Sequence, residues 1–266
     1  MNIIVCIKQI ADPEAPSDSF RLDPQKKIMA CSPKVLRVVN PFDEQAVEAA
    51  LRIKDRTGAR VTAVALGSTL DRVVVKKPLF MGADELILLE DPAFADGDSW
   101  ATANALSAAI RKIGQFDLIL FGRQAADWNA GQVGLGIAEA LGLPSISFAR
   151  KIEINDGLAH IERVTSNGYE TIDVKLPAVI TVSNEIGQAR YPAIQNIRVA
   201  NKIQPLIWKP SDIGLENSQI GSAGRRLKIL KLYEPVQEGT CTIMQGDTPE
   251  EMAENLALTL RREKIV

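Results

Sequence analysis

Apolar and polar positions along the chain fall into two textures, and the first carries most of the length. Ile3 to Ile7 form an unbroken β-prone apolar run, the pattern of a strand covered on both faces, and the same texture returns at Val61–Leu66, Leu86–Leu89 and Asp117–Phe121. Helical patterns lie between these runs. Asn40-Pro41 opens one that should extend to about Thr57, with Asn40 or a neighbour as cap, Pro41 in the first turn, Asp43 and Glu44 at the positive end of the helix dipole, and Gly58 as the stop. Leu70–Phe80 reads as a helix broken at Gly82, Ser99–Ile113 as an alanine-rich helix ended by Gly114, and Gly131–Leu141 as one closed by Gly142 and Pro144. Ile146–Phe148 supplies a further strand. Strand and helix in alternation require crossover connections, so the expected class is α/β, a mostly parallel sheet flanked by helices.

The second texture has a period of two. From Lys151 to Val182 apolar residues alternate with polar ones around turns at Asn155-Asp156-Gly157 and Ser166-Asn167-Gly168, which predicts a small antiparallel appendage. Phe20–Ala30, with Asp23-Pro24 inside it, reads as a hairpin or surface excursion. Beyond Pro205 the pattern loosens among Pro210, Gly214, Gly221, Gly224 and Pro235 until a helix from Thr248 to about Glu263. Such a tail is either a disordered linker with a lone helix or an extended C-terminal arm that packs on a partner subunit. The expected division is therefore a main α/β domain over 1–204 and an arm over 205–266.

Composition removes several function classes. In 266 residues, 31 basic and 33 acidic side chains leave a net charge of −2, so no bulk field draws the chain to nucleic acid or to an anionic membrane. Cys6, Cys31 and Cys241 are widely spaced, with no CxxC pair to suggest zinc or a disulfide framework. His160 is the single histidine and falls in an alternating segment, a poor start for a metal site or a catalytic triad. The opening MNIIVCIKQIADP has too short an apolar stretch for a secretory signal or a membrane span, which implies a cytoplasmic or matrix-like soluble protein.

In an open parallel sheet, ligands bind beyond the carboxyl ends of the strands, which directs attention to Cys6–Gln9, Asn40–Asp43, Leu66–Ser68 and Gly122–Gly134. The last of these, GRQAADWNAGQVG, is the richest: glycines permit backbone amides to approach a phosphate, and the following helix would aim its N-terminus at that charge. Gly122 and Gly131 are equally explained as strand and helix punctuation. Neither a G-x-G-x-x-G after the first strand nor a P-loop is present, so any nucleotide site is of another type.

Five segments together resemble the beta subunit of electron transfer flavoproteins: IVCIKQIAD, NPFDEQAVEAALRIKD, MGADE, DLILFGRQAADWNAGQVG and KLPAVITVSNEIGQARYPAIQNIRVANK, in order and across most of the chain. The resemblance implies a fold like that of adenine-nucleotide-binding alpha-hydrolases, a larger alpha subunit holding most contacts to FAD, and in this subunit a cavity for AMP or, in electron-bifurcating relatives, a second FAD. Carried over by motif, Cys6, Asn40, Pro41, Phe42, Asp43 and Leu66 would line that cavity, together with Gly122, Arg123, Gln124, Ala125, Asp127, Trp128, Asn129, Ala130, Gly131, Gln132 and Val133. Asp127 is the candidate for a polar contact and Gln132 for phosphate or ribose. Trp128 stands where the bifurcating branch has a small residue, which favours AMP. Pro13 and Val164 replace the family's aromatic and acidic residues near the main flavin.

The same resemblance makes Ile194 an exposed apolar anchor for a flavin dehydrogenase such as an acyl-CoA dehydrogenase, on a recognition loop of about 184–204, with Arg190 and Tyr191 holding the loop or meeting the partner. Read from residue type alone, Ile194 is as consistent with ordinary core. The role implied is that of an electron carrier with no catalytic residue of its own. A stand-alone nucleotide sensor or hydrolase of the same fold, and a structural adaptor, are the competing readings.

Overall fold

Alternate residues of the central strands enter two different cores. Ile3, Val5 and Ile7 pack with Ala46, Val47, Leu51 and Leu79, whereas Ile4 and Cys6 pack with Ala105, Ala109, Ile137 and Ala138. A strand buried on both faces needs an apolar run without alternation, which is what residues 3–7 provide. These relationships come from a computed structural model that describes residues 1–235, 239 and 241–265.

In chain order the strands are β1 (Asn2–Ile7), β2 (Gln9–Ala11), β3 (Phe20–Asp23), β4 (Ile28–Cys31), β5 (Arg37–Val39), β6 (Arg60–Gly67) and β7 (Glu85–Glu90). They continue as β8 (Leu118–Gly122), β9 (Ser145–Asn155), β10 (Leu158–Thr165), β11 (Gly168–Lys175), β12 (Ala178–Val182) and β13 (Leu206–Trp208). The helices are α1 (Pro41–Thr57), α2 (Arg72–Val75), α3 (Lys77–Met81), α4 (Ser99–Ile113), α5 (Val133–Leu141), α6 (Ile194–Ala200) and α7 (Pro249–Arg262). The nine-stranded main sheet runs β11-β10-β9-β12-β8-β1-β6-β7-β13. It is parallel from β9 to β13 and antiparallel across β9, β10 and β11. The α/β class and the flanking helices are as the pattern predicts. From β1 the chain moves out to β6 and β7, then returns to β8 on the other side of β1. The winding thus reverses between β1 and β8, and in open sheets it is outside the carboxyl ends of two such strands that a crevice for ligands is expected.

Several expectations need correction. Leu70–Phe80 is not one helix: Asp71 caps α2 by accepting from Val73 and Val74, and the chain restarts as α3 with Pro78 in its first turn. A proline there cannot donate to residue 74 and would crowd its carbonyl, so a continuous helix is broken. Ala178–Val182 is no part of the antiparallel appendage: it is a fully buried strand parallel to both β8 and β9. Ile146–Phe148 is the first part of the longer β9, whose other end belongs to the appendage. α5 begins at Val133, so Gly131 and Gln132 precede it.

The tail starts from the sheet itself. Leu206–Trp208 pairs with β7 as the edge strand, and Ile213 and Ile220 enter the core beneath α4. α7 is capped by Thr248, whose side chain accepts from the amide of Glu251, and its residues are exposed or half-buried. No helix among the described residues is long and apolar enough to cross a membrane.

Candidate functional site

The crevice between β1 and β8 is built around the first turn of α1. Pro41 and the acidic pair Asp43 and Glu44 start that helix as expected, but Asn40, at the cap position, does not cap with its side chain. Its carbonyl accepts from the amides of Asp43 and Glu44, and the side chain is turned instead to the loop after β8. There Nδ2 donates to the carbonyl of Gln124 at 2.8 Å and Oδ1 accepts from the amide of Ala126 at 3.1 Å. A buried amide satisfied in this way makes the loop an extension of α1.

Asp43 performs the corresponding task for the strands. Its carboxylate accepts from the amide of Lys8 at 2.8 Å and from that of Gly122 at 3.1 Å, joining the chain just past β1 to the end of β8. Burial pushes this carboxyl up to about 7, against the opposing pull of hydrogen bonds from Asn40, Lys8 and Gly122. Gly122 is required by this contact: a Cβ would fall 2.5 Å from the carbonyl carbon of Phe42 and 2.7 Å from the amide of Asp43.

The loop itself is compact. Trp128 and Asn129 both donate to the carbonyl of Ala125, and Gln124 Nε2 donates to Asn129 Oδ1 at 2.9 Å. Asn129 and Gly131 adopt left-handed backbone, with φ of 51° and 62°. A Cβ on Gly131 would stand 3.2 Å from the carbonyl of Arg123. The amides of Ala130, Gly131 and Gln132 donate to no carbonyl within this turn, and they lead directly into the N-terminus of α5. Arg123 lies with its guanidinium 4.7 Å from the centre of the Phe42 ring, and its buried Nε has no partner among the described residues.

These contacts bring together Asn40, Phe42, Asp43, Gly122, Arg123, Gln124, Ala125, Asp127 and Gly131. Asp127 does not stand free: Lys8 Nζ lies 2.7 Å from its carboxylate. Lys8 lies in the Cys6–Gln9 stretch that the sheet geometry singled out, but it was not among the residues carried over by motif to the cavity. Trp128, Asn129, Ala130 and Gln132 are on the exposed side of the loop, and Pro41 is exposed on the first turn of α1. Leu66 is half-buried against the core on the α4 side. Cys6 is within that core, and burial raises its thiol far above the ordinary value, with Asp43 adding to the effect.

Outside the crevice, Ile194 is 71% exposed and Tyr191 86% exposed, so Ile194 is not core. The segment of about 184–204 is not a continuous loop. It contains a short turn at Asn184–Ile186 and then α6, with Ile194 at its first position.

The profile described as "Electron transfer flavoprotein domain" matches residues 34–203. The chain belongs to the electron transfer flavoprotein family. It is 38% identical to the "Electron transfer flavoprotein subunit beta" of Thermoanaerobacterium thermosaccharolyticum over 267 aligned residues covering all of both chains. It is similarly related to the "Caffeyl-CoA reductase-Etf complex subunit CarD" of Acetobacterium woodii, at 35% identity over 267 residues and all of both chains. The "Acryloyl-CoA reductase electron transfer subunit gamma" of Anaerotignum propionicum is 32% identical over 281 aligned residues, again across both chains. This electron transfer flavoprotein chain is of the beta-subunit type, and its role is to carry electrons within a flavoprotein assembly.

Proposed function

We propose that the crevice between β1 and β8 buries the adenosine phosphate of AMP or of a second FAD, and that the chain works beside a larger alpha subunit holding most contacts to the redox-active FAD. The observation that carries this reading is the segment from Arg123 to Gln132. Among the described residues it presents amides without a partner before a helix N-terminus, a left-handed glycine close to backbone, and a buried arginine nitrogen with no partner. Amides so arranged favour an anion and cost nothing to organise when it arrives. The amides of residues 130–132 would hold the phosphate, with Lys8 as the nearby cation. Asn40 and Asp43 would keep the loop in place. FAD, when bound, supplies the one- and two-electron chemistry, so no acid or base of this chain is required.

Tyr191 and Ile194 form the face for a flavin dehydrogenase. A large apolar side chain exposed beside an exposed tyrosine suits burial in a partner's pocket. Two relatives are named for CoA-thioester reductase complexes. By likeness, the electron partner here is a flavoenzyme acting on a CoA thioester, of acyl-CoA dehydrogenase type. Residues 205–266 form the arm for the alpha subunit, rooted on the sheet by Leu206–Trp208. Beyond it, Met252 and Leu256 project from one face of α7.

Purifying the chain together with its alpha subunit and releasing the nucleotides by mild denaturation tests this. One FAD and one AMP per complex are expected, and two FAD would identify the second form of the site. A complex containing flavin but no further nucleotide would end the assignment of the crevice.

A further inference from the structure

The same helix that orders the crevice also grips the chain leading to the exposed face. About one and a half turns beyond Asp43, the carboxylate of Glu48 is buried, 4% exposed. It accepts from Arg52 Nε at 2.8 Å and from Arg190 Nε at 2.8 Å. It also accepts from Arg190 Nη2 at 3.3 Å and from the amide of Arg190 at 3.1 Å. Arg52 donates onward to the carbonyls of Ile186 at 2.7 Å and Gln188 at 3.3 Å, and Arg190 Nη2 reaches Asp55 at 2.8 Å. The strap over 186–190 is therefore tied to α1 at three backbone points, and each tie passes through a guanidinium held by Glu48 or, at residue 190, ends on Glu48 itself.

Immediately after the last tie come Tyr191 and Ile194, the most exposed large apolar side chains of this region. A buried carboxylate shared by two arginines contributes little net stability compared with an apolar replacement, but it has a strong directional requirement. That requirement holds the base of a protruding face. An anchor on an ordered base loses less conformational freedom on docking than one on a loose strap, and so binds more tightly with the same contacts.

We propose that Glu48 is the positioning residue of the docking face: acting through Arg52 and Arg190, it fixes the 186–190 strap and thereby the direction from which Tyr191 and Ile194 meet a flavin dehydrogenase. The inference rests on the reading of that face as a docking surface given above. It adds that α1 serves both sites, the crevice through Asn40 and Asp43 and the face through Glu48, Arg52 and Asp55.

The test uses the complex with its larger subunit, a purified short-chain acyl-CoA dehydrogenase with its substrate as electron donor, and the variants Glu48→Gln and Ile194→Ala. Amide hydrogen exchange over 186–193 should quicken in Glu48→Gln and stay unchanged in Ile194→Ala. Both variants should raise KM for the dehydrogenase, Glu48→Gln by about three- to tenfold, with kcat and nucleotide content preserved in Glu48→Gln. If Glu48→Gln does not fold, Arg52→Gln has the same expectation, since it removes two ties and leaves the Glu48–Arg190 pair. Unchanged exchange overturns the positioning role. A raised KM in Ile194→Ala alone, with exchange quickened in Glu48→Gln, also overturns it but leaves the docking face intact. No change of KM in either variant overturns the docking face and the inference together.

Discussion

Lys8 and Asp127 form an ion pair across the mouth of the crevice, with Nζ 2.7 Å from the carboxylate, so the residue that follows the first strand meets the tip of the loop that follows β8. The two are far apart in sequence. Only the placement of β8 beside β1 makes them neighbours.

Both side chains are partly exposed, and pairs of this kind contribute about 0–1 kcal/mol. Lys8→Gln should therefore leave the denaturant midpoint close to that of the parent. It should weaken AMP retention several-fold, because the crevice loses its nearby cation. Equilibrium dialysis with AMP alone reads the second effect, and undiminished retention would remove Lys8 from the site.

Asn40 bonds to Gln124 and Ala126 with both ends of one amide, so no smaller residue can replace it. Asn40→Ala should cost about 2 kcal/mol, because a loop carbonyl and a loop amide are left unpaired in a half-buried setting. Nucleotide retention should fall with it. Urea unfolding of the parent and variant decides the first point, and a loss below about 0.5 kcal/mol would contradict the clamp.

Gly131 separates the two explanations that its sequence position allows. Were it simple punctuation, any residue tolerant of left-handed backbone would serve. A Cβ here would stand 3.2 Å from the carbonyl of Arg123, which must then give by a few tenths of an ångström, and the left-handed backbone at φ 62° adds strain for a branched side chain. Gly131→Val should lower nucleotide retention at least tenfold while the sheet still folds, since a branched side chain is strained at this left-handed position and shifts the amides around it. Normal nucleotide content would locate the phosphate elsewhere.

Asp43 gives a pH dependence of definite sign. Its folded value is about 7 against an ordinary 3.8, mainly because of burial. Between those values the folded chain retains a proton that the unfolded chain has lost, so this group makes stability fall as pH rises from about 4 to about 7 and level off above. Asp43→Asn cannot titrate. The difference between parent and variant stability, followed by urea unfolding across that range, should show the slope, and a flat difference would mean that Asp43 is ionised throughout.

Glu48 acts in the opposite sense. Burial tends to raise its carboxyl, but hydrogen bonds from Arg190 and Arg52 outweigh this and hold it below the ordinary 4.5. Its contribution is present above pH 4.5 and is lost as pH falls through the depressed folded value. Protection from hydrogen exchange over 186–193, taken relative to the intrinsic exchange rate at each pH, should fall on acidification below that range and stay constant between pH 5 and 7. Loosening already at pH 6 would assign control of the strap to another group.

Much of this was legible in residue order. Apolar runs without alternation at residues 3–7, 61–66 and 117–121 require strands covered on both faces, and helices between them require parallel crossovers, so the class followed from pattern alone, and with it the carboxyl edge as the place to look for a candidate site. Motif resemblance named Asn40, Asp43 and the 122–133 loop as one site, and the fold does bring them into contact. What pattern could not supply was orientation and long-range pairing. Whether Asn40 caps its helix or ties a loop depends on what lies opposite, and the partners at Gln124 and Ala126 exist only once β8 is laid beside β1. The buried run 178–182 is compatible with either strand direction, and only its neighbours made it parallel. Local chemistry along the chain determines which elements form; the folded sheet alone decides which side chains face each other, because hydrogen bonds and ion pairs act over a few ångströms of space regardless of separation in sequence.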